Sequence, residues 1–295
     1  MTTPWGDLAV ADAHVHFFSR RFFQSLAIPA HKSPEDLAAA LAWRLPPEDP
    51  AVLGLDWAAE LDRHGVAQST LIASFPGDEA SVAAAAAAVP GRFWPYAMVN
   101  PLAAGETAGQ GMRAICLFPA MHGYSLHDPK AAPVLDRAAA ARQAVFVHCG
   151  VLTVGVRRKL GLPSPFDMRY SNPIDLHAIA LRYPKTPFVV PHFGAGYFRE
   201  ALMLADLCPN VYLDTSSSNS WMRYEGLDLP TVFRRALAVA GPSRLLFGTD
   251  SSFFPRGWNR AIFDDQTRVL AGLGVSSADA AAILGGNLRG IFCES

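Results

Sequence analysis

Residues 8–16 read Leu-Ala-Val-Ala-Asp-Ala-His-Val-His, a short apolar run that ends in two histidines one residue apart. Side chains on a strand alternate between its faces with period two, so His14 and His16 point the same way. If the strand belongs to a barrel, that shared direction can be the lumen. A lone His-X-His carries little weight, because either ring can be an ordinary hydrogen-bonded residue. Its meaning depends on what ends the other strands.

Including 8–14, eight runs rich in Val, Ile, Leu and Phe recur along the chain, the others at 66–73, 93–99, 113–118, 144–148, 187–192, 211–215 and 244–249. Helical patterns at 56–64, 78–88, 129–142, 173–182, 198–207, 229–240 and 261–272 lie between or after them. Alternation of this kind predicts βα units around a parallel sheet. Several runs are almost continuously apolar, as expected of strands covered by helices on one face and packed inside a barrel on the other. Local punctuation agrees: Asp78 can cap a helix, Asn172-Pro173 places proline at a first helical position, and Gly241-Pro242 stops the helix before it. The expected fold is a (β/α)8 TIM barrel. No Gly/Ser-rich linker divides the 295 residues, so one domain over 1–295 is expected, with an insertion at about 17–50 after the first strand. Within it, 33–43 reads as an extra helix or a lid.

Chemistry-bearing residues end four of these runs. His14 and His16 end the first, His148 the fifth, His192 the sixth and Asp250 the eighth. Parallel barrels build their active sites at the C-terminal ends of their strands. A set of imidazoles and a carboxylate around an open position suits a catalytic zinc ion, and manganese, iron or cobalt accept the same donors.

The remaining composition excludes much. The chain is 51% hydrophobic and 17% charged, with net charge −1, so it has ample core and no basic stripe for a phosphate backbone. Residues 1–10 lack the cationic start and apolar stretch of a signal peptide, and the run 82–89 is far too short for a bilayer. Four widely spaced cysteines, Cys116, Cys149, Cys208 and Cys293, form neither a zinc knuckle nor a disulfide framework. These features place the protein in the cytoplasm with reduced thiols and a small-molecule substrate, with neither nucleic acid nor membrane as partner. A homodimer is compatible with the sequence and not dictated by it.

In chain order, the strand-end His-Val-His, His148-Cys149-Gly150, the segment PHFGAG at 191–196, VYLDTSS at 211–217, LLFGTD at 245–250 and ILGGNLRGIF at 283–292 resemble the amidohydrolase superfamily. The likeness is to its amidohydrolase-related branch, which holds metal-dependent hydrolases beside the aminocarboxymuconate-semialdehyde decarboxylase group. It spans nearly the whole chain. The resemblance implies a metallo-dependent barrel in which His14, His16, His148 and Asp250 hold one divalent ion and His192 serves catalysis. Two-metal relatives carry a carboxylated lysine at the end of the fourth strand; here that run, 113–118, contains no lysine, which favours a single ion.

A metal-activated water would attack an amide, lactone, ester or activated carbon–carbon bond of a small cyclic or carboxylated substrate. Asp250 would accept its proton, and His192 would stabilise the oxyanion or act as the acid. The resemblance equally implies an alternative, decarboxylation of an unsaturated or aromatic acid. A metal-binding barrel without catalysis is a third reading, against which the full ligand set argues. Substrate contacts are expected from His122 and Tyr124 after the fourth strand and from Arg157 after the fifth, with the aromatic loop 252–258 as a wall.

Overall fold

A short antiparallel hairpin, Thr2–Thr3 with Gly6–Asp7, precedes the sheet that organises the molecule. The computed structural model describes residues 1–103, 105, 107–152, 154–216 and 219–293, the side chains of residues 219 and 293 excepted. Eight parallel strands follow one another around a nearly closed barrel. β1 comprises two short ladders, Ala11–Asp12 and His16–Phe17, both paired with β2, Gln68–Ala73. Then come β3 (Phe93–Val99), β4 (Ala114–Leu117), β5 (Ala144–Val147), β6 (Phe188–Val190), β7 (Val211–Asp214) and β8 (Leu245–Leu246). Each pairs with its sequence neighbour. The expected strand ends His148, His192 and Asp250 thus fall one, two and four residues beyond their ladders, in the loops that follow.

The seam between β8 and β1 closes without a regular ladder. Three backbone bonds join it, Ala13 N–H to Phe247 O at 2.8 Å, Asp250 N–H to His14 O at 2.9 Å and His16 N–H to Ser251 O at 2.7 Å. A single parallel bridge, Val15 with Ser251, completes it.

Between β1 and β2 lie α1 (Arg20–Ala30), α2 (Pro34–Leu41) and α3 (Pro50–His64). The expected extra helix at 33–43 is α2, capped by Ser33, whose hydroxyl accepts from Asp36 N–H. α1 was not foreseen in the sequence. Its apolar residues Phe22, Phe23, Leu26 and Ala27 are buried in a small core of their own with Leu37, Ala38, Leu41 and Val156, distinct from the clusters inside and around the barrel. Asp78 occupies the N-cap position of α4 (Glu79–Ala88), but its carboxylate accepts from the hydroxyls of Ser19 and Ser81, at 2.6 Å each, instead of from the helix backbone. No described helix is long and apolar enough to cross a membrane.

Candidate metal centre

β1 and the turn after β8 deliver three donor atoms to one point. His14 Nε2 lies 3.3 Å from His16 Nε2 and 3.7 Å from Asp250 Oδ1, and His16 Nε2 lies 3.5 Å from the same oxygen. Nitrogen and oxygen donors at about 2.0–2.2 Å from a tetrahedral ion would stand about 3.3–3.6 Å apart. The triangle therefore fits a divalent cation, and with no ion between them two imidazole nitrogens facing a carboxylate oxygen at these separations make poor hydrogen bonds. Among the described residues, this trio is the group of histidine, cysteine and acidic side chains close enough to hold a metal.

The charge states suit that reading. Burial, reinforced by His14 and His192, pushes His16 well below the usual histidine range. His148 is likewise driven far down, by burial and then by His192, His14 and His16. Both rings are neutral near pH 7 and keep a lone pair for a cation. Burial would also lower His14, but the carboxylates of Asp214, Asp250 and Asp12 outweigh it and hold the ring above its ordinary value. Asp214 is fully buried and approaches His14 Nδ1 to 2.6 Å. Burial pushes the Asp214 carboxyl up, yet the His14 contact, His192 and the Ser216 amide overcome this and keep it ionised. An Nδ1–H donated to Asp214 leaves Nε2 of His14 as the acceptor aimed into the triangle.

His192 sits beside this group, its ring centroid 4.9 Å from that of His14 and 5.5 Å from that of His148. Its Nδ1 lies 3.0 Å from Ser216 O and 3.0 Å from Ser216 Oγ. With its proton on Nδ1, donated to that carbonyl, the ring offers a lone pair at Nε2. Burial and then His14 lower its pKa, so an acid role requires it first to take up a proton. His192 and Phe193 have φ of 54° and 53°, Ala195 43° and Asp250 58°. Each left-handed non-glycine residue costs about 1–2 kcal/mol, a concentration of strain that commonly marks functional loops.

Above the floor opens a cavity of about 330 Å³ lined by His16, His148, His192 and Asp250 at its polar end. Its walls are aromatic. Phe18 stacks on Phe22 and Trp43 on Phe253, each pair at 4.1 Å between centroids. Two exposed cations stand on the lining, Lys159 with its ammonium 5.9 Å from the Trp43 ring centre and Arg256 4.6 Å over Phe253.

Of the residues singled out from the sequence, His14, His16 and Asp250 form the triangle, and His148 and His192 flank it. His148 does not join the close trio. The expected substrate contacts His122, Tyr124 and Arg157 do not line the cavity. α5 (Pro119–His122) turns Met121 toward the cavity, and Tyr124 folds back into the barrel core at 2% exposure. Arg157 lies on the short helix Gly155–Lys159 and donates from Nε to Pro163 O at 2.7 Å, so Lys159 is the cation presented. The aromatic loop after β8 lines the wall as expected, through Phe253 and Arg256. Asp214, Ser216 and Asp12 were missed. Asp214 and Ser216 sit inside the VYLDTSS segment, whose acid directly ends a buried strand; that position was the available signal.

Comparison with known proteins bears on this site. The pattern of the amidohydrolase family matches residues 11–291. Protein fluG of Emericella nidulans is 36% identical over 85 residues, 29% of this chain and 10% of that protein, so the match spans about a tenth of its length. The crystal structure of 5-carboxyvanillate decarboxylase LigW from Sphingomonas paucimobilis is similar at 15% identity, covering 97% of this chain and 99% of that one with a TM-score of 0.64. A zinc-bound amidohydrolase from Burkholderia multivorans is 18% identical over 96% and 99% of the two chains, with a TM-score of 0.58. At such identities the structural likeness speaks to the fold.

Proposed function

Given that the chain belongs to the amidohydrolase family, we propose that it is a metal-dependent hydrolase of a small, ring-shaped, acidic molecule. The observation that carries this reading is the position of Asp250. It contributes Oδ1 to the donor triangle, its side chain is 30% exposed at the cavity floor, and among the described residues Oδ2 makes no hydrogen bond. Hydrolysis needs a proton acceptor beside the scissile bond, and this free carboxylate oxygen can serve as one.

His14, His16 and Asp250 would hold one divalent ion, with His148 as a further donor, and zinc suits the set best while manganese, iron or cobalt are acceptable. Such an ion, when bound, polarises a carbonyl and lowers the pKa of bound water to about 7. Asp214 keeps His14 in the tautomer that presents Nε2. Asp250 accepts the proton of the attacking water at Oδ2. Asp250 then returns that proton to the leaving group, while His192, oriented through Ser216, faces the developing oxyanion and serves as the acid if it receives the proton from Asp250. Trp43, Phe253 and Phe18 exclude water and stack on a flat substrate, and Lys159 with Arg256 draws an acid to the mouth. The free, buried thiols of Cys116, Cys149 and Cys208 fit a reducing compartment, which supports a cytoplasmic site of action.

One observation favours the other chemistry. Aromatic walls desolvate a bound carboxylate, and one of the similar structures is a decarboxylase. Incubation of the zinc-loaded enzyme with aryl-fused lactones, cyclic amides and aromatic dicarboxylic acids separates the two. Ring opening without gas release is expected; carbon dioxide as the sole product would replace hydrolase by carboxy-lyase.

A further inference from the structure

The donor triangle is assembled across the weakest part of the barrel. His14 and His16 come from β1, the first strand, and Asp250 follows β8, the last, and between them the ladder is reduced to three backbone bonds and one bridge. Something must fix the separation of these strands to a few tenths of an ångström, because donor atoms misplaced by more than that lose a small cation.

One side chain spans the seam. Asp12 is fully buried, and its carboxylate accepts four hydrogen bonds. Oδ1 takes His14 N–H at 2.9 Å from its own strand and Thr249 N–H at 3.1 Å from the other side. Oδ2 takes the Thr249 hydroxyl and the indole N–H of Trp258 at 2.8 Å. An ionised carboxylate has about four acceptor positions, and all are filled. Two of the donors flank the triangle directly: the His14 amide belongs to a donor residue, and Thr249 immediately precedes Asp250. The third, Trp258, ends the loop that carries Phe253 and Arg256 to the cavity wall. That loop is held from outside as well, since Glu60 Oε1 accepts from Trp258 N–H at 2.8 Å.

We propose that Asp12 is a positioning residue that sets the distance between the His14/His16 pair and Asp250 and ties the 251–258 loop to the same point. This inference rests on the proposed metal site and adds to it the element that determines how tightly the ion is held. Asp12 touches neither ion nor substrate. It acts through two backbone amides, a hydroxyl and an indole.

Asparagine at this position conserves volume but cannot conserve the pattern. Its oxygen can take the two amides; its NH2 group then faces the Trp258 indole, which can only donate. Donor opposes donor, and the loop must move. Removing the indole N–H removes the conflict. Zinc affinity of the full-length protein, measured by competition with a chromogenic chelator, is therefore the test, with apo-protein melting temperature measured in parallel. Asp12→Asn is expected to bind zinc about 10- to 100-fold more weakly than wild type, and the double variant Asp12→Asn/Trp258→Phe to recover at least threefold of that loss. A purely structural role predicts otherwise: a lower apo melting temperature, unchanged affinity of the folded fraction and no rescue. That result overturns the proposal. If Asp12→Asn does not fold, Trp258→Phe alone decides, since it deletes one of the four bonds and keeps the charge; a threefold or greater loss of affinity supports the inference and unchanged affinity refutes it. Failure of wild type itself to bind zinc, cobalt or manganese would strike the underlying metal reading instead.

Discussion

The proposed metal site depends on where each imidazole puts its proton. His14 shows this most directly. Its Nδ1 is 2.6 Å from Asp214 Oδ2, and Gly248 makes room for the pair, since a Cβ there would lie 2.6 Å from Asp214 Oδ1 and 3.0 Å from His14 Cβ. Asp214→Asn leaves the volume and removes the charge, so the ion is expected to bind about 10- to 100-fold more weakly; chelator competition measures it, and equal affinity would mean that Asp214 only fills space. His192 has a different task. Its alanine variant is expected to retain the ion and lose two or more orders of magnitude in rate, the scale of a lost acid–base or oxyanion group, whereas His148→Ala is expected to lose ion and activity together. Metal analysis beside steady-state kinetics distinguishes the three histidine roles. At this scale the sequence was informative about the donors and silent about their supports. His14, His16 and Asp250 stand at strand ends, where position alone raises suspicion. The bond from His14 to Asp214 spans 200 residues, and no local spacing encodes it.

Elements carry these residues to one place, and glycine decides how closely two loops approach. Gly150 follows His148 and packs on the loop after β6; a Cβ there would stand 2.1 Å from Gly194 O and 2.4 Å from Ala195 O. Those atoms belong to the turn that holds His192 in its left-handed conformation. Gly150→Ala must push that turn outward, at a cost of about 1–3 kcal/mol, and move His192 without touching the donor triangle. The expected result is a lower melting temperature and a fall in turnover with metal content unchanged; full activity would show that the turn absorbs the shift. The order of β1 to β8 was legible from runs of apolar residues, and β3 even at its ends. β8 was not, because only Leu245–Leu246 form a ladder and the rest of that run turns toward the seam. α1 was hidden by Pro29 near its end and by a buried face that packs on α2 and the loop after β5 instead of on the barrel. Aromatic residues at 18 and 22, at 43 and at 253, from three separate stretches of sequence, become one wall through that arrangement.

For the whole molecule, an ion held as proposed, by β1 and the turn after β8, would also be a cross-link between its first and last strands. Elsewhere each strand pairs with its neighbour in a ladder of two or more residues, but at the seam Asp12, three backbone bonds and the donor triangle share the closure. Binding to the native state alone stabilises it by RT ln(1 + [L]/Kd), about 2.7 kcal/mol at a hundredfold excess over Kd. Removal of the ion with a chelator should therefore lower the melting temperature, and addition of zinc should restore it. The location of the change is more telling than its size. Amides that bridge the seam, Ala13, His16 and Asp250, are expected to exchange with deuterium faster in the stripped protein, while amides in the β3–β4 ladder on the far side keep their protection. An ion bound at the mouth without joining the strands would slow exchange in loops and leave the seam amides as they were. Uniform acceleration around the barrel would mean that closure depends on the ion everywhere. Only acceleration confined to the seam fits a barrel in which the proposed metal site and the point of closure are the same residues.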